Sequence, residues 1–167
     1  MTQPTLAVFD IDGVIADVRH RLHHVEARPK DWSAFFAAMD GDEPLEVGVA
    51  LARDQASAGH RIAYLTGRDE SHRALTQAWL DRHGLPEGRL VMRRVGDRRP
   101  ARLMKPEALR RLARDHDVVA VVDDDVAVVR VLREAGWPVL HATWMTEATP
   151  DGEQQALFDA QELDGRS

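Results

Sequence analysis

The chain has 167 residues, 44% of them hydrophobic and 30% charged, which suits one domain with a sizeable core and is too short for two. It has no cysteine, so disulfides, thiolate metal sites and a cysteine nucleophile are excluded. A net charge of −6 argues against broad, non-specific coating of nucleic acid. Its apolar runs fall far short of the roughly 20 residues that span a bilayer. No signal-peptide pattern follows Met1, so a cytoplasmic location and no membrane partner are expected.

Leu6–Phe9 is a short apolar run and predicts a buried β-strand. Residues 17–43 begin irregular and polar, and Asp31 is placed to cap a short helix carrying Trp32, Phe35 and Phe36. This stretch reads as a small helical cap inserted into a domain of residues 1–146. Residues 44–59 predict a longer helix, with Leu45, Val49 and Ala52 at helical spacing and Gly59 as its stop. Arg61–Thr66 is the second strand, and Asp69 or Ser71 opens a helix running to about His83. Leu90–Met92 is a third short strand. A helix then covers residues 106–115, with Pro100 marking an alternative, earlier start. The residue before a proline is biased away from helical geometry, so Lys105 is expected just ahead of that helix. Val118–Val122 is the strongest strand, followed by a helix over Val126–Ala135 that Asp125 opens, and a last strand at Val139–Ala142. Residues 147–167 form an acidic C-terminal tail, read as a loose helix or as disordered.

Strands alternating with helices imply an α/β fold: a three-layer, Rossmann-like parallel sheet with helices on both faces. Ligands bind such sheets beyond the carboxyl ends of the strands. The polar clusters fall at those ends. Asp10 and Asp12 follow the first strand, Thr66-Gly67-Arg68 the second, and Asp123-Asp124-Asp125 the valine-rich one. Isolated buried carboxylates are costly unless paired, neutralised or bound to metal. The pair Asp10 and Asp12 therefore reads as a nucleophile beside an acid/base, held by a divalent cation.

The four signatures Asp10-Ile11-Asp12-Gly13-Val14, Leu65-Thr66-Gly67-Arg68, Lys105 and Val122-Asp123-Asp124 resemble those of the haloacid dehalogenase (HAD) superfamily of aspartate-dependent phosphohydrolases. Within it, the chain is most similar to the phosphatase domain of phage-type polynucleotide kinase/phosphatase. That likeness rests on Phe9–Gly13, Ala16-Asp17 with His20-Arg21-Leu22, Pro29–Trp32, Thr66–Arg68, Thr76–Leu80, Met92-Arg93, and Gly96-Asp97 with Arg99 ahead of Lys105.

The resemblance implies an HAD-like fold and a Mg²⁺-dependent phosphoric monoester hydrolase working through an aspartyl-phosphate. Asp10 is then the nucleophile and Asp12 the acid/base, with Thr66 and Lys105 as further catalytic residues. Asp10, the Asp12 carbonyl, Asp123 and Asp124 hold the metal, and which of the last two binds directly stays open. Gly67, Arg68, Arg21, Arg93 and Arg99 are candidate substrate contacts, since guanidinium matches phosphate geometry. Trp32, Phe35 and Phe36 either stack on a base or form the small core under the cap. His20, His23 and His24 read as polar rim residues, because Mg²⁺ prefers oxygen. The phosphorylated substrate is expected to be a nucleic-acid 3′ end or a nucleotide. The alternatives are a small-molecule phosphomonoesterase such as a nucleotidase, and a non-catalytic phosphate-binding module.

Overall fold

The computed structural model describes residues 2–148 and 151–167. Seven strands are present among the described residues: β1 (Thr5–Phe9), β2 (Ala16–Asp17), β3 (Glu43–Pro44), β4 (Arg61–Asp69), β5 (Gly88–Arg93), β6 (Asp117–Asp123) and β7 (Val139–His141). Five of them build one parallel sheet in the order β5-β4-β1-β6-β7, while β2 and β3 pair antiparallel in a separate ribbon. The helices are α1 (His23–Glu26), α2 (Trp32–Ala37), α3 (Glu46–Ser57), α4 (Arg73–Arg82), α5 (Ala101–Leu112), α6 (Val126–Glu134) and α7 (Asp151–Phe158). None of the described helices is long and apolar enough to cross a membrane.

The central strand shows why the sheet has two covered faces. Successive side chains of a strand point to opposite sides. Ala7 and Phe9 pack with Val49 and Ala52 of α3 and with Trp79 and Leu80 of α4. Leu6 and Val8 pack instead with Ala108, Leu109 and Leu112 of α5 and with Val128 and Leu132 of α6. A strand buried on both faces reads as a continuous apolar run, as Leu6–Phe9 does. The chain builds outward from β1 to β4 and β5, then returns to place β6 on the other side of β1. That reversal opens a crevice at the carboxyl end of β1.

Two expectations change. Lys105 does not precede the helix: α5 begins at Ala101, with Pro100 in the capping position, and Lys105 and Pro106 lie inside it. Burial of Ala101, Met104 and Lys105 itself outweighs the local bias against helical geometry before proline. The acidic segment is also more than a loose appendage. Ala156 and Leu157 of α7 are buried against Val18, Leu22, Val25, Phe35, Phe36, Met39 and Met145. A π-helical turn over Asp159–Leu163 follows. Two buried apolar side chains of α7 suffice here, because the aromatic patch of α2 supplies the other half of the cluster.

Candidate active site

The end of β1 delivers two acids to the crevice. The Asp10 backbone N–H donates to Val122 O at 2.9 Å, which ties the strand end to β6, and Asp10 Oδ1 accepts from the Ile11 N–H at 2.8 Å. The chain turns away at Gly13, whose φ is +81°, and a Cβ there would lie 2.2 Å from Asp124 Oδ2. Glycine thus serves twice, for the left-handed backbone and for room beneath the acid at the end of β6. Asp10, Asp123 and Asp124 are all buried and bring one carboxylate oxygen each within 4.8 Å of the others. Lys105, reaching in from α5, sets its Nζ 3.1 Å from Asp10 Oδ2 and 2.5 Å from Asp123 Oδ2. Asp125 caps α6, accepting from the N–H groups of Ala127 (2.9 Å) and Val128 (3.4 Å).

One ammonium does not balance three buried carboxylates. Burial raises the Asp10 carboxyl; Lys105 works against this, Asp123 and Asp12 add to it, and the result is about 7. Burial likewise raises Asp123, against the pull of Lys105. Asp124 goes well above its usual range through burial and then through the charges of Asp10 and Asp123. Burial disfavours the charged form of Lys105, but Asp10 and Asp123 outweigh it and hold the ammonium protonated.

Asp12 stands in the opposite environment. Burial pushes its carboxyl up, yet the guanidiniums of Arg68 and Arg21 reverse this and hold it well below the usual carboxylate range. Arg68 Nη2 lies 2.5 Å and Arg21 Nη2 3.2 Å from Asp12 Oδ1. Both arginines are shared with Asp42, which accepts from Arg21 Nε at 2.8 Å, Arg21 Nη2 at 2.9 Å and Arg68 Nη2 at 3.1 Å. His20 Nε2 lies 2.7 Å from Asp42 Oδ1, and the Trp79 indole N–H donates to the Asp42 carbonyl at 2.8 Å. Asp42 escaped the sequence reading. It is one acid in the run Asp40-Gly41-Asp42-Glu43, and only the β2–β3 ribbon brings it beside Arg21.

The Thr66-Gly67-Arg68 stretch is where the β4–β5 register breaks, between Thr66 and Asp69. Such a bulge re-aims side chains, and here it turns Arg68 toward Asp12. Thr66 is fully buried, and its hydroxyl oxygen accepts from the Arg68 N–H at 3.1 Å. Arg93 is buried beneath: its Nε donates to Gly67 O at 2.8 Å and its Nη1 to Arg99 O at 2.6 Å. Its Nη2 has no hydrogen-bond partner among the described residues and lies 3.2 Å from where a Gly67 side chain would begin.

The structure therefore gathers Asp10, Asp12, Arg21, Thr66, Gly67, Arg68, Arg93, Lys105, Asp123 and Asp124 around the carboxyl ends of β1, β4 and β6. Arg99 stands apart from them, its guanidinium held by Asp97 at 2.8 Å and Glu107 at 2.7 Å on the surface. Phe35 and Phe36 belong to the apolar cluster under α7, with Trp32 packed on its margin. His23 and His24 lie against each other with their rings tilted by 41°, at 3.9 Å between ring centroids, and neither belongs to the carboxylate cluster.

Residues 4–144 match the family model of the polynucleotide kinase PNKP phosphatase domain. The chain belongs to this family. It is an HAD-type phosphatase domain, a phosphoric monoester hydrolase by family. Similar solved structures include a chain of the Pnkp1/Rnl/Hen1 complex, with a TM-score of 0.70 and 22% identity, covering 84% of this chain and 45% of that one. The class C acid phosphatase from Bacillus anthracis aligns with a TM-score of 0.66 and 14% identity, over 95% of this chain and 80% of that one. The D,D-heptose 1,7-bisphosphate phosphatase from B. bronchiseptica, complexed with magnesium and phosphate, gives 0.53 and 19%, over 93% and 99%. At these identities the structural likeness is one of fold. The chain spans under half the length of the Pnkp1 complex chain. No curated protein matches the sequence.

The PNKP-type site fits a divalent cation on its own chemistry. Its donors are carboxylate oxygens, which hard cations take. The raised Asp10, Asp123 and Asp124 carboxyls mark negative charge that Lys105 leaves uncompensated.

Proposed function

We propose that this domain is a Mg²⁺-dependent phosphatase that works through an aspartyl-phosphate on Asp10 and acts on nucleic-acid 3′-phosphates. The observation that carries the reading is the buried cluster of Asp10, Asp123 and Asp124 around Lys105, at the end of the central strand. A structural nucleus would not place three unbalanced carboxylates there. The polynucleotide substrate rests on the PNKP family match. The magnesium is supported by the acidic cluster and by the heptose bisphosphate phosphatase complex.

In this reading Asp10, the Asp12 carbonyl, Asp123 and Asp124 hold the Mg²⁺, which when bound neutralises charge on the phosphoryl oxygens. Asp10 attacks phosphorus as the bond to the leaving oxygen breaks, and an aspartyl-phosphate forms. Asp12 gives its proton to the leaving alkoxide. It then takes a proton from the water that attacks the aspartyl-phosphate, releasing inorganic phosphate and restoring both acids. Arg68 and Arg21 favour the ionised Asp12 that the second step needs. An incoming phosphate dianion raises its proton affinity for the first. Lys105 draws Asp10 toward its ionised form, against burial and the neighbouring acids, and offsets charge on the transferring group. The Thr66 hydroxyl, the Gly67 backbone and the unpartnered Nη2 of Arg93 take the remaining phosphate oxygens. Residues 17–43 form the cap of the 1–146 domain and supply Arg21 and Asp42.

The test is a substrate panel with and without Mg²⁺: an aryl phosphate, mononucleotides and 3′-phosphorylated oligonucleotides. Mg²⁺-dependent release of phosphate from the oligonucleotides is expected. Hydrolysis of mononucleotides with none of the oligonucleotides would make the domain a nucleotidase. Phosphate binding without turnover of any substrate would make it a binding module.

A further inference from the structure

Residues 159–167 lie across the mouth of the site. The Gln161 amide donates to Asp124 Oδ1 at 3.2 Å, and the Ser167 hydroxyl donates to Asp12 Oδ2. The Ser167 carbonyl oxygen sits 1.9 Å from the position of a Cβ on Gly67, so it presses on the bare backbone that a phosphate would otherwise approach. The segment is pinned on both flanks. Lys30 pairs with Asp164, and the Arg166 guanidinium stands 5.0 Å from the centre of the Trp32 ring. Opposite, Arg102 Nε is 3.4 Å from Glu162 Oε2, and Gly165 passes so close to Arg98 that a Cβ would meet its carbonyl oxygen at 2.5 Å. Gln161, Glu162 and Ser167 are buried by this arrangement.

The chemistry of the contacts shows what could replace them. Only Ala160 adds a buried apolar side chain to residues 159–167, and Leu163 is 70% exposed. The rest are polar contacts, whose loss water or a ligand largely compensates, so closure is a modest preference and not part of the core. The segment also presents acids to cations, Asp164 to Lys30 and Glu162 to Arg102, as phosphodiester groups would, while Glu162 also faces the Asp125 carboxyl, a like group that weakens closure. We infer that residues 159–167 form an acidic strap that closes the site, and that a phosphorylated polyanion opens it by taking over Lys30 and Arg102. The identity of that ligand rests on the proposed phosphatase function; the closure itself rests on the contacts above.

A strap that is mostly closed lowers apparent affinity by the fraction of molecules that are open. The double variant Gln161→Ala/Ser167→Ala should therefore raise kcat/KM for p-nitrophenyl phosphate about tenfold, with a melting temperature lowered by only a few degrees. Lys30→Ala should raise aryl-phosphate turnover as well, yet lower kcat/KM for a 3′-phosphorylated oligonucleotide, which loses a contact. Unchanged aryl-phosphate kinetics in the double variant, beside an active wild type, overturn the strap and leave the phosphatase reading standing. Amide exchange gives a readout free of turnover. Inorganic phosphate with Mg²⁺ should speed exchange in residues 159–167 of the wild type by about fivefold or more, because the ligand competes for the closed seat. Exchange that the ligand leaves unaltered overturns the strap whatever the kinetics. Accelerated exchange without turnover by any of the proteins upholds the strap and overturns the phosphatase reading.

Discussion

Lys105 Nζ lies 2.5 Å from Asp123 Oδ2 inside the protein, with both side chains almost fully buried. The same ammonium is 3.1 Å from Asp10 Oδ2, so one cation serves acids from two strands. Removing it strands charge that burial makes expensive, at about 3–5 kcal/mol when one partner of a buried pair is lost. Lys105→Met should therefore lower the metal-free melting temperature, and Mg²⁺ should recover part of the loss. Turnover should fall by about a hundredfold or more, since an electrostatic support of the transferring group is gone. Thermal melts with and without Mg²⁺, run beside aryl-phosphate kinetics, measure both. A variant that keeps wild-type turnover would remove Lys105 from the chemistry.

Asp42 reaches the reaction only through the arginines that hold Asp12. It is fully buried and shares both guanidiniums. Asp42→Asn keeps the shape but withdraws the counter-charge, leaving Arg21 and Arg68 to Asp12 alone. The expected result is a drop in kcat of about tenfold to a hundredfold, within the range that misplacing a catalytic group costs. Asp42→Ala should add a stability loss of about 3–5 kcal/mol in denaturant melts, because two buried cations lose a partner. Wild-type kcat in Asp42→Asn would mean that the arginines hold their positions without it.

The acid cluster sets a pH dependence whose sign is fixed. The Asp10 carboxyl is raised from 3.8 to about 7, and Asp124 is raised as well. The folded state thus binds more protons than the unfolded chain. The stability these groups lend is complete below the unfolded value and is lost as pH rises through about 7. Asp12 is shifted the other way, below 3.8, and stays ionised throughout this window. The metal-free protein should melt at falling temperature between about pH 5 and pH 8. A divalent cation replaces the protons, so the melting shift produced by Mg²⁺ should grow across the same interval. Melts in chelator and in Mg²⁺ at stepped pH decide this, and a Mg²⁺ shift that shrinks with rising pH would contradict the cation-binding role.

What could be read from the sequence was what the chain encodes locally. Leu6–Phe9 and Val118–Val122 announce buried strands by composition, and a parallel sheet obliges their carboxyl ends to meet, so Asp10, Asp12, Asp123 and Asp124 could be placed together before any coordinates. Lys105 was identified, but its place in the helix was not, because the bias before Pro106 is local and the burial of Ala101 and Met104 is tertiary. Asp42 and residues 159–167 carry no period at all. Their roles come from polar contacts across 21 residues for Arg21–Asp42 and 155 for Ser167–Asp12, and no motif or spacing rule records such partners.

Asp10→Asn separates nucleophile from structural acid. The amide keeps the volume of the side chain and cannot form the aspartyl-phosphate, so turnover should fall by about a thousandfold or more. The same change removes one of three crowded carboxylates, while Lys105 keeps Asp123 at 2.5 Å. Relief of repulsion should then raise the metal-free melting temperature near neutral pH, where the raised Asp10 carboxyl is losing its proton. The two readouts are taken on one preparation, aryl-phosphate hydrolysis and a chelated melt. Lost turnover with equal or higher stability marks Asp10 as the nucleophile. Retained turnover would assign the attack to another group, and lost turnover with a collapsed melt would make Asp10 a folding residue.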